Sequence, residues 1–261
     1  MSIEKKEAEK IEQLLTSMIE KKLRRYARET SSMPFLVRLI QDSRKVASYS
    51  FMHSISTSLG MSVYEEVSQI IAENRCEECF RKYDLGGALS KEQKSVIDNI
   101  ILELRNKERQ PDYQKETKLV LDASSKDGKQ QKEGKIADFY MLRDGMEHFF
   151  EIKTVKPNID VFTKTKTKLL EWVARRRKPV RAILAFPYNP YFPKPYERFT
   201  EQNLMQMGVD FLVGEDYWNF LGGENTLKDL LNIFDNVGKR WRDEILVKIE
   251  EVAKEKMENY Q

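Results

Sequence analysis

Asp138, Glu151 and Lys153 are the residues of this sequence whose types and spacing could do chemistry. They lie in two short runs rich in β-branched and aromatic residues, Ile136–Leu142 and His148–Val155. Between the runs stands Arg143-Asp144-Gly145, a strong turn signal. The pattern predicts a β-hairpin. Side chains two apart on a strand share a face, so Glu151 and Lys153 point one way and Ile152 points the other, into a core. An ionised carboxylate on a mostly buried strand is costly unless it is paired or holds a metal. Two acids and an ammonium group on adjacent strands therefore suggest a divalent-metal site with a lysine beside it. The alternative is a buried ion pair between neighbouring strands.

An acid-x-Lys triplet alone means little in a chain that is 33% charged. Six Glu-x-Lys triplets occur, starting at Glu4, Glu20, Glu92, Glu116, Glu133 and Glu151. Only the last lies in a β-patterned apolar run with an acid on the preceding run. The letters Pro111-Asp112 and Glu116-Thr117-Lys118 make a decoy, because three residues cannot hold a turn and two paired strands. The chemistry open to the triad is phosphodiester hydrolysis. That reaction needs an in-line water, neutralisation of developing charge and a stabilised leaving oxygen, and magnesium on one or two carboxylates supplies much of it. Asp138 and Glu151 are suitable oxygen ligands, the Ile152 carbonyl could add a third, and Lys153 would orient or deprotonate the water or stabilise negative charge.

The elements that must position these groups follow from periodicity. The first 110 residues read as mostly helical: 3–30, then Pro34 to Leu59 closed by Gly60, then Val63 to about Tyr83 opened by a Ser62/Glu65 capping box, then Lys91 to Arg109 capped by Ser90. Residues 111–225 change character. Lys118–Leu121 reads as a strand, 124–135 as a polar loop, and the hairpin follows. An amphipathic helix runs over Val161–Arg177, Val180–Phe186 is a buried-type strand, and Val209–Val213 is a further strand. Residues 226–261 form a C-terminal helical segment in which Gly238 could mark a break. The expected architecture is a mixed β-sheet flanked by helices, of α/β (α+β) class. The Pro/Tyr-rich stretch 187–196 is a semi-rigid loop: a plain surface loop, a DNA-facing loop or a subunit contact.

Length, 261 residues, suffices for a large core. No apolar run of about 18 residues and no apolar leader is present, so secretion and membrane spanning are unsupported and a reducing cytoplasm is expected. Cys76 and Cys79 read as free thiols on a helix, with a zinc half-site shared across a dimer as the alternative. Net charge is +3, yet Lys153–Arg181 holds ten basic residues against Asp160 and Glu171, a local surplus of +8. Such a surplus beside a metal site suits a polyanion such as nucleic acid, and the alternative is a solvated helix face. Lys156 and Asn158 could touch phosphate, and some of Lys164, Lys166 and Lys168 should bind backbone. Arg175, Arg176, Arg177, Lys178 and Asn189 are candidates for groove contacts.

Asp138, then twelve residues, then Glu151-Ile152-Lys153, on the second and third strands of an α-β-β-β-α-β order, resembles the PD-(D/E)xK nuclease superfamily. The proline is absent, since Ala137 precedes Asp138. More narrowly, Phe150-Glu151-Ile152-Lys153-Thr154-Val155-Lys156-Pro157-Asn158, with Leu169-Leu170-Glu171-Trp172 and Gly214–Gly223, resembles type II restriction endonucleases of the TdeIII group. The resemblance implies a homodimeric enzyme cutting double-stranded DNA at GGNCC with magnesium, or manganese as substitute. It also implies a cognate DNA methyltransferase as functional rather than physical partner. It further implies a glutamate on the helix before the sheet. The aromatic-then-Glu pattern of related nucleases matches Glu65, whereas helical pitch favours Glu66; Glu65 is taken as the further metal-site residue, with its capping-box role as the alternative. The rivals are another nuclease of the same fold, such as a resolvase or repair nuclease, and a non-catalytic DNA-binding or assembly protein whose triad is an ion network.

Overall fold

The computed structural model describes residues 2–29, 33–123, 134–154, 158–196 and 203–258. Contacts divide the chain into two units, Met1–Val67 with Lys228–Gln261, and Ser68–Leu227. In the first unit, α1 (Lys5–Glu29) buries Ile11, Leu15 and Ile19 at helical spacing. The expected helix from Pro34 to Leu59 is two helices. Gln41, in the left-handed region, ends α2 (Pro34–Ile40), and the Asp42 carboxylate caps α3 (Ser43–Ser58) by accepting the Arg44 and Lys45 N–H groups. Gly60 and Ser62 mark no boundary. Leu59–Val63 forms a π-helical turn that carries the helix on into α4 (Tyr64–Ala72), the wider turn absorbing the extra residue, so the expected capping box at Ser62 does not form. The tail helix α9 (Thr226–Glu258) runs through Gly238 unbroken, and its Ile249, Val252 and Ala253 pack on Ala47 and Phe51 of α3.

The second unit holds the sheet. Its first strand, β1 (Glu78–Asp84), lies where helical spacing predicts a continuation to Tyr83. That spacing ends at Ala72. Beyond it, pairing with the next strand and the stacking of Phe80 and Tyr83 on Tyr140 (ring centroids 6.2 and 4.1 Å apart) impose an extended chain. Cys76 and Cys79 are free, but they precede and join this strand rather than a helix. Burial pushes the Cys79 thiol up to about 12. Helix α5 (Lys91–Arg105) opens on a Ser90–Gln93 capping box. The strand expected at Lys118–Leu121 is instead part of α6 (Tyr113–Asp122). Asp112 caps it through the Lys115 N–H, and Tyr113, Glu116 and Val120 bury one helical face.

The hairpin is β2 (Ile136–Arg143) and β3 (Met146–Ile152). Its two-residue turn puts both Asp144 and Gly145 at positive φ (53° and 68°), the backbone that matches strand twist. Helix α7 (Ile159–Arg176) then crosses over to β4 (Arg181–Phe186), parallel to β3, and β5 (Phe211–Val213) adds on parallel to β4. The order is β1-β2-β3-β4-β5, antiparallel across the first three strands and parallel across the last three. This is the expected mixed sheet flanked by helices, with β1 supplied by 78–84. Phe149 of β3 meets Trp172 of α7 (6.2 Å), so α7 covers the sheet face to which Tyr140 and Phe149 point. A short helix, α8 (Glu215–Gly222), covers the other face through Tyr217 and Phe220 against Phe150. No helix among the described residues is long and apolar enough to cross a membrane.

Candidate active site

The β2–β3 ladder pairs Tyr140 with Phe149 and Phe139 with Phe150. One further step opposes Asp138 and Glu151 on the face covered by α7. The Asp138 Oδ2 accepts the Ile152 N–H at 2.9 Å, and its Oδ1 accepts from Lys82 Nζ at 3.1 Å. Glu151 is 5% exposed, flanked on the β4 side by the buried Leu184. Its Oε1 accepts from Lys153 Nζ at 2.6 Å and its Oε2 from Lys168 Nζ at 2.5 Å. Lys168 reaches in from α7, its ammonium 5.2 Å from the Trp172 ring centroid one turn on. Two ammonium groups take the place of the water that a carboxylate this deep has lost. The three residues singled out by strand pattern are thus brought together at one end of the hairpin.

Residues 3–238 match the family model for the type II restriction endonuclease HinfI. The chain belongs to the HinfI family of type II restriction endonucleases. Among its relatives, the type II restriction enzyme MjaII of Methanocaldococcus jannaschii is 30% identical over 207 residues, 72% of this chain and 54% of that protein. The type II restriction enzyme HgiCII of Herpetosiphon aurantiacus is 30% identical over 208 residues, 76% of this chain and 75% of that one. HgiEI of the same organism is 29% identical with equal coverage. The match thus spans about half the length of the M. jannaschii relative.

Other predicted positions of this HinfI-family chain fall on several elements. Glu65 lies in the first turn of α4, in the first unit, and is buried. Asn158 caps α7 through the Val161 N–H at 3.0 Å. Lys164 and Arg177 are exposed, Arg177 as the left-handed end of α7. Lys166 is wholly buried, 2.5 Å from both Glu116 and Asp210. Burial opposes its charge, yet the two carboxylates outweigh it and hold its pKa above the ordinary lysine value. Arg175 is buried with its guanidinium on the Gly86 and Gly87 carbonyls. Gly87 fits there for lack of a Cβ, which would stand 2.5 Å from the Arg175 carbonyl oxygen. Arg176 and Lys178 both pair with Glu147. Asn189 ties its own loop, donating to the Lys194 carbonyl and accepting the Tyr191 N–H. Lys156 lies outside the described residues.

Two lysines at the site escape the strand pattern. Lys168 is legible only as one of several basic residues on α7. Lys82 carries no signal, because 78–84 reads as helix.

Proposed function

We propose that this HinfI-family protein is a magnesium-dependent endonuclease of the PD-(D/E)xK type, cutting both strands of DNA at a specific sequence. One observation carries the reading. The Asp138 carboxylate is fastened to the N–H of Ile152, between Glu151 and Lys153, so two acids and a lysine meet where β2 begins and β3 ends. Among the described residues no group of three His, Cys, Asp or Glu side chains gathers. A two-carboxylate site of this sort fits a hard cation that completes its shell with water and phosphate oxygens. Asp138, Glu151 and the Ile152 carbonyl would hold magnesium, or manganese in its stead, which when bound neutralises phosphate charge and acidifies water. Lys153, 2.6 Å from Glu151, orients the attacking water or donates to a phosphate oxygen. Lys168 holds the other Glu151 oxygen and so fixes the direction of that carboxylate.

A homodimer matches the two equivalent strands of a palindromic duplex. GGNCC, from the narrower TdeIII likeness of 150–158, is the first sequence to test. A methyltransferase of the same specificity would protect the host DNA, and the cytoplasm is where both would act. A second reading is favoured by one fact: all four oxygens of Asp138 and Glu151 already have an N–H or ammonium partner. On that reading the cluster is a non-catalytic ion network in a DNA-binding protein.

The test is digestion of a plasmid of known sequence with magnesium, followed by mapping of the ends. Asp138→Ala and Lys153→Ala should each lower cutting by about 100-fold or more. Calcium should support specific binding without turnover. Undiminished cutting by either variant removes the site. A wild-type protein that never cuts, with Asp138→Ala lowering only stability, favours the ion network.

A further inference from the structure

Lys82 stands in β1 between Arg81 and Tyr83, which pair with Phe139 and Ala137. It therefore lies across from Asp138 on the neighbouring strand, and the register is the same on both sides of it. Its φ is 51°, in the left-handed region that a side chain of its kind rarely adopts and that carries a cost in a strand. The consequence is visible in the side chains. Phe80 and Tyr83, three residues apart, both stack on Tyr140, so the two-residue alternation of β1 is broken at this point. The backbone departure and the ion pair coincide: the ammonium sits 3.1 Å from Asp138 Oδ1, with the Lys82 side chain 56% exposed and that of Asp138 18% exposed. A lysine on an edge strand can serve only to repel other strands, but that role requires neither a left-handed residue nor a contact with Asp138.

We infer that Lys82 is a positioning residue that occupies Asp138 in place of the metal, holding the carboxylate ready and competing with the cation for it. This rests on the reading of Asp138 as a metal ligand. The Ile152 N–H fixes Oδ2, and the ammonium neutralises Oδ1. A dication arriving at Oδ1 repels the ammonium at contact distance, so the lysine must leave, and its exposed, flexible stem lets it do so. The device keeps a strand-end carboxylate compensated without a metal and raises the metal concentration needed to load the site.

The experiment compares wild type, Lys82→Met, Lys82→Gly and Asp138→Ala by Mn2+ titration of the DNA-free protein, with free Mn2+ read by electron paramagnetic resonance. Loss of the ammonium should tighten Mn2+ binding about two- to fivefold, the range an exposed ion pair supports, and the gain should shrink as salt is raised. Lys82→Gly also relieves the left-handed backbone, so it gives the same answer should Lys82→Met fold poorly. Unchanged or weaker Mn2+ binding in both Lys82 variants, with Asp138→Ala still abolishing it, overturns the inference alone. Asp138→Ala binding Mn2+ like wild type overturns the metal-site reading and the inference with it.

Discussion

Lys153 and Lys168 reach the 5% exposed carboxylate of Glu151 from two directions, and only one of those directions is written locally. Lys153 is two residues away on the same strand face, so period-two alternation reveals it. Lys168 is 17 residues away through the crossover, so its arrival depends on how α7 lies on the sheet. His148 makes the same point about environment. Its pattern position marks it as strand, but its chemistry comes from burial and from the nearby charges of Arg181 and Arg143, which together lower its pKa to about 4. The ring nitrogen Nδ1 lies 2.9 Å from the Met146 carbonyl, and the ring packs 5.4 Å from Phe220. The folded pKa is below the unfolded value of about 6.5, so the unfolded chain binds the extra proton between the two. His148 therefore contributes stability that is complete above about pH 6.5 and is lost as pH falls toward 4, about 3 kcal/mol at most. Urea unfolding across that window should show the slope in wild type and a flatter profile in His148→Phe. Parallel profiles would remove His148 as its source.

Elements that carry their own punctuation were legible. The Ser90 cap, the Asp144-Gly145 turn and the apolar run of β4 all took the predicted form, whereas the capping box expected at Ser62 did not. Elements decided by tertiary partners were not. β1 is extended because Tyr83 and Phe80 stack on Tyr140, and α6 is helical because Asp112 caps it and Val120 must enter the core beside α7. Charge was the most misleading signal at this scale. Lys166 alternates with Lys164 and Lys168 as if along a solvent face, yet it joins Glu116 of α6 and Asp210 ahead of β5 in a wholly buried triad. Replacing it with methionine strands two carboxylates in the core, and breaking a buried pair in this way costs about 3–5 kcal/mol. Lys166→Met should lose that much in denaturant unfolding, while Lys164→Ala, on the exposed side, should lose under about 0.5 kcal/mol. Equal losses would mean that the triad is not buried in solution.

At the scale of the whole molecule, the basic surplus of 153–181 must be separated into charge spent inside the fold and charge left for a polyanion. Lys166 and Arg175 are buried, Lys153 and Lys168 serve Glu151, and Arg176 serves Glu147. Arg181 is desolvated, which lowers its pKa, and donates to the Val209 carbonyl. Lys164 and Arg177 remain exposed, and Lys178 is still half-exposed against Glu147. Among the described residues of this stretch, a phosphate backbone should therefore meet about three cations per protomer. For the proposed dimer that is about six, and the logarithm of non-specific affinity should fall with the logarithm of salt concentration with a slope near −5. Fluorescence anisotropy with a duplex lacking the recognition sequence, titrated over a range of potassium chloride, measures it. Lys164→Ala removes two contacts from the dimer and should flatten the slope by about 2, whereas Lys166→Met, if folded, should leave it unchanged. A slope that responds to Lys166 and not to Lys164 would mean that the chain meets DNA through another surface, since the buried triad can touch no phosphate while α7 is packed as it is here.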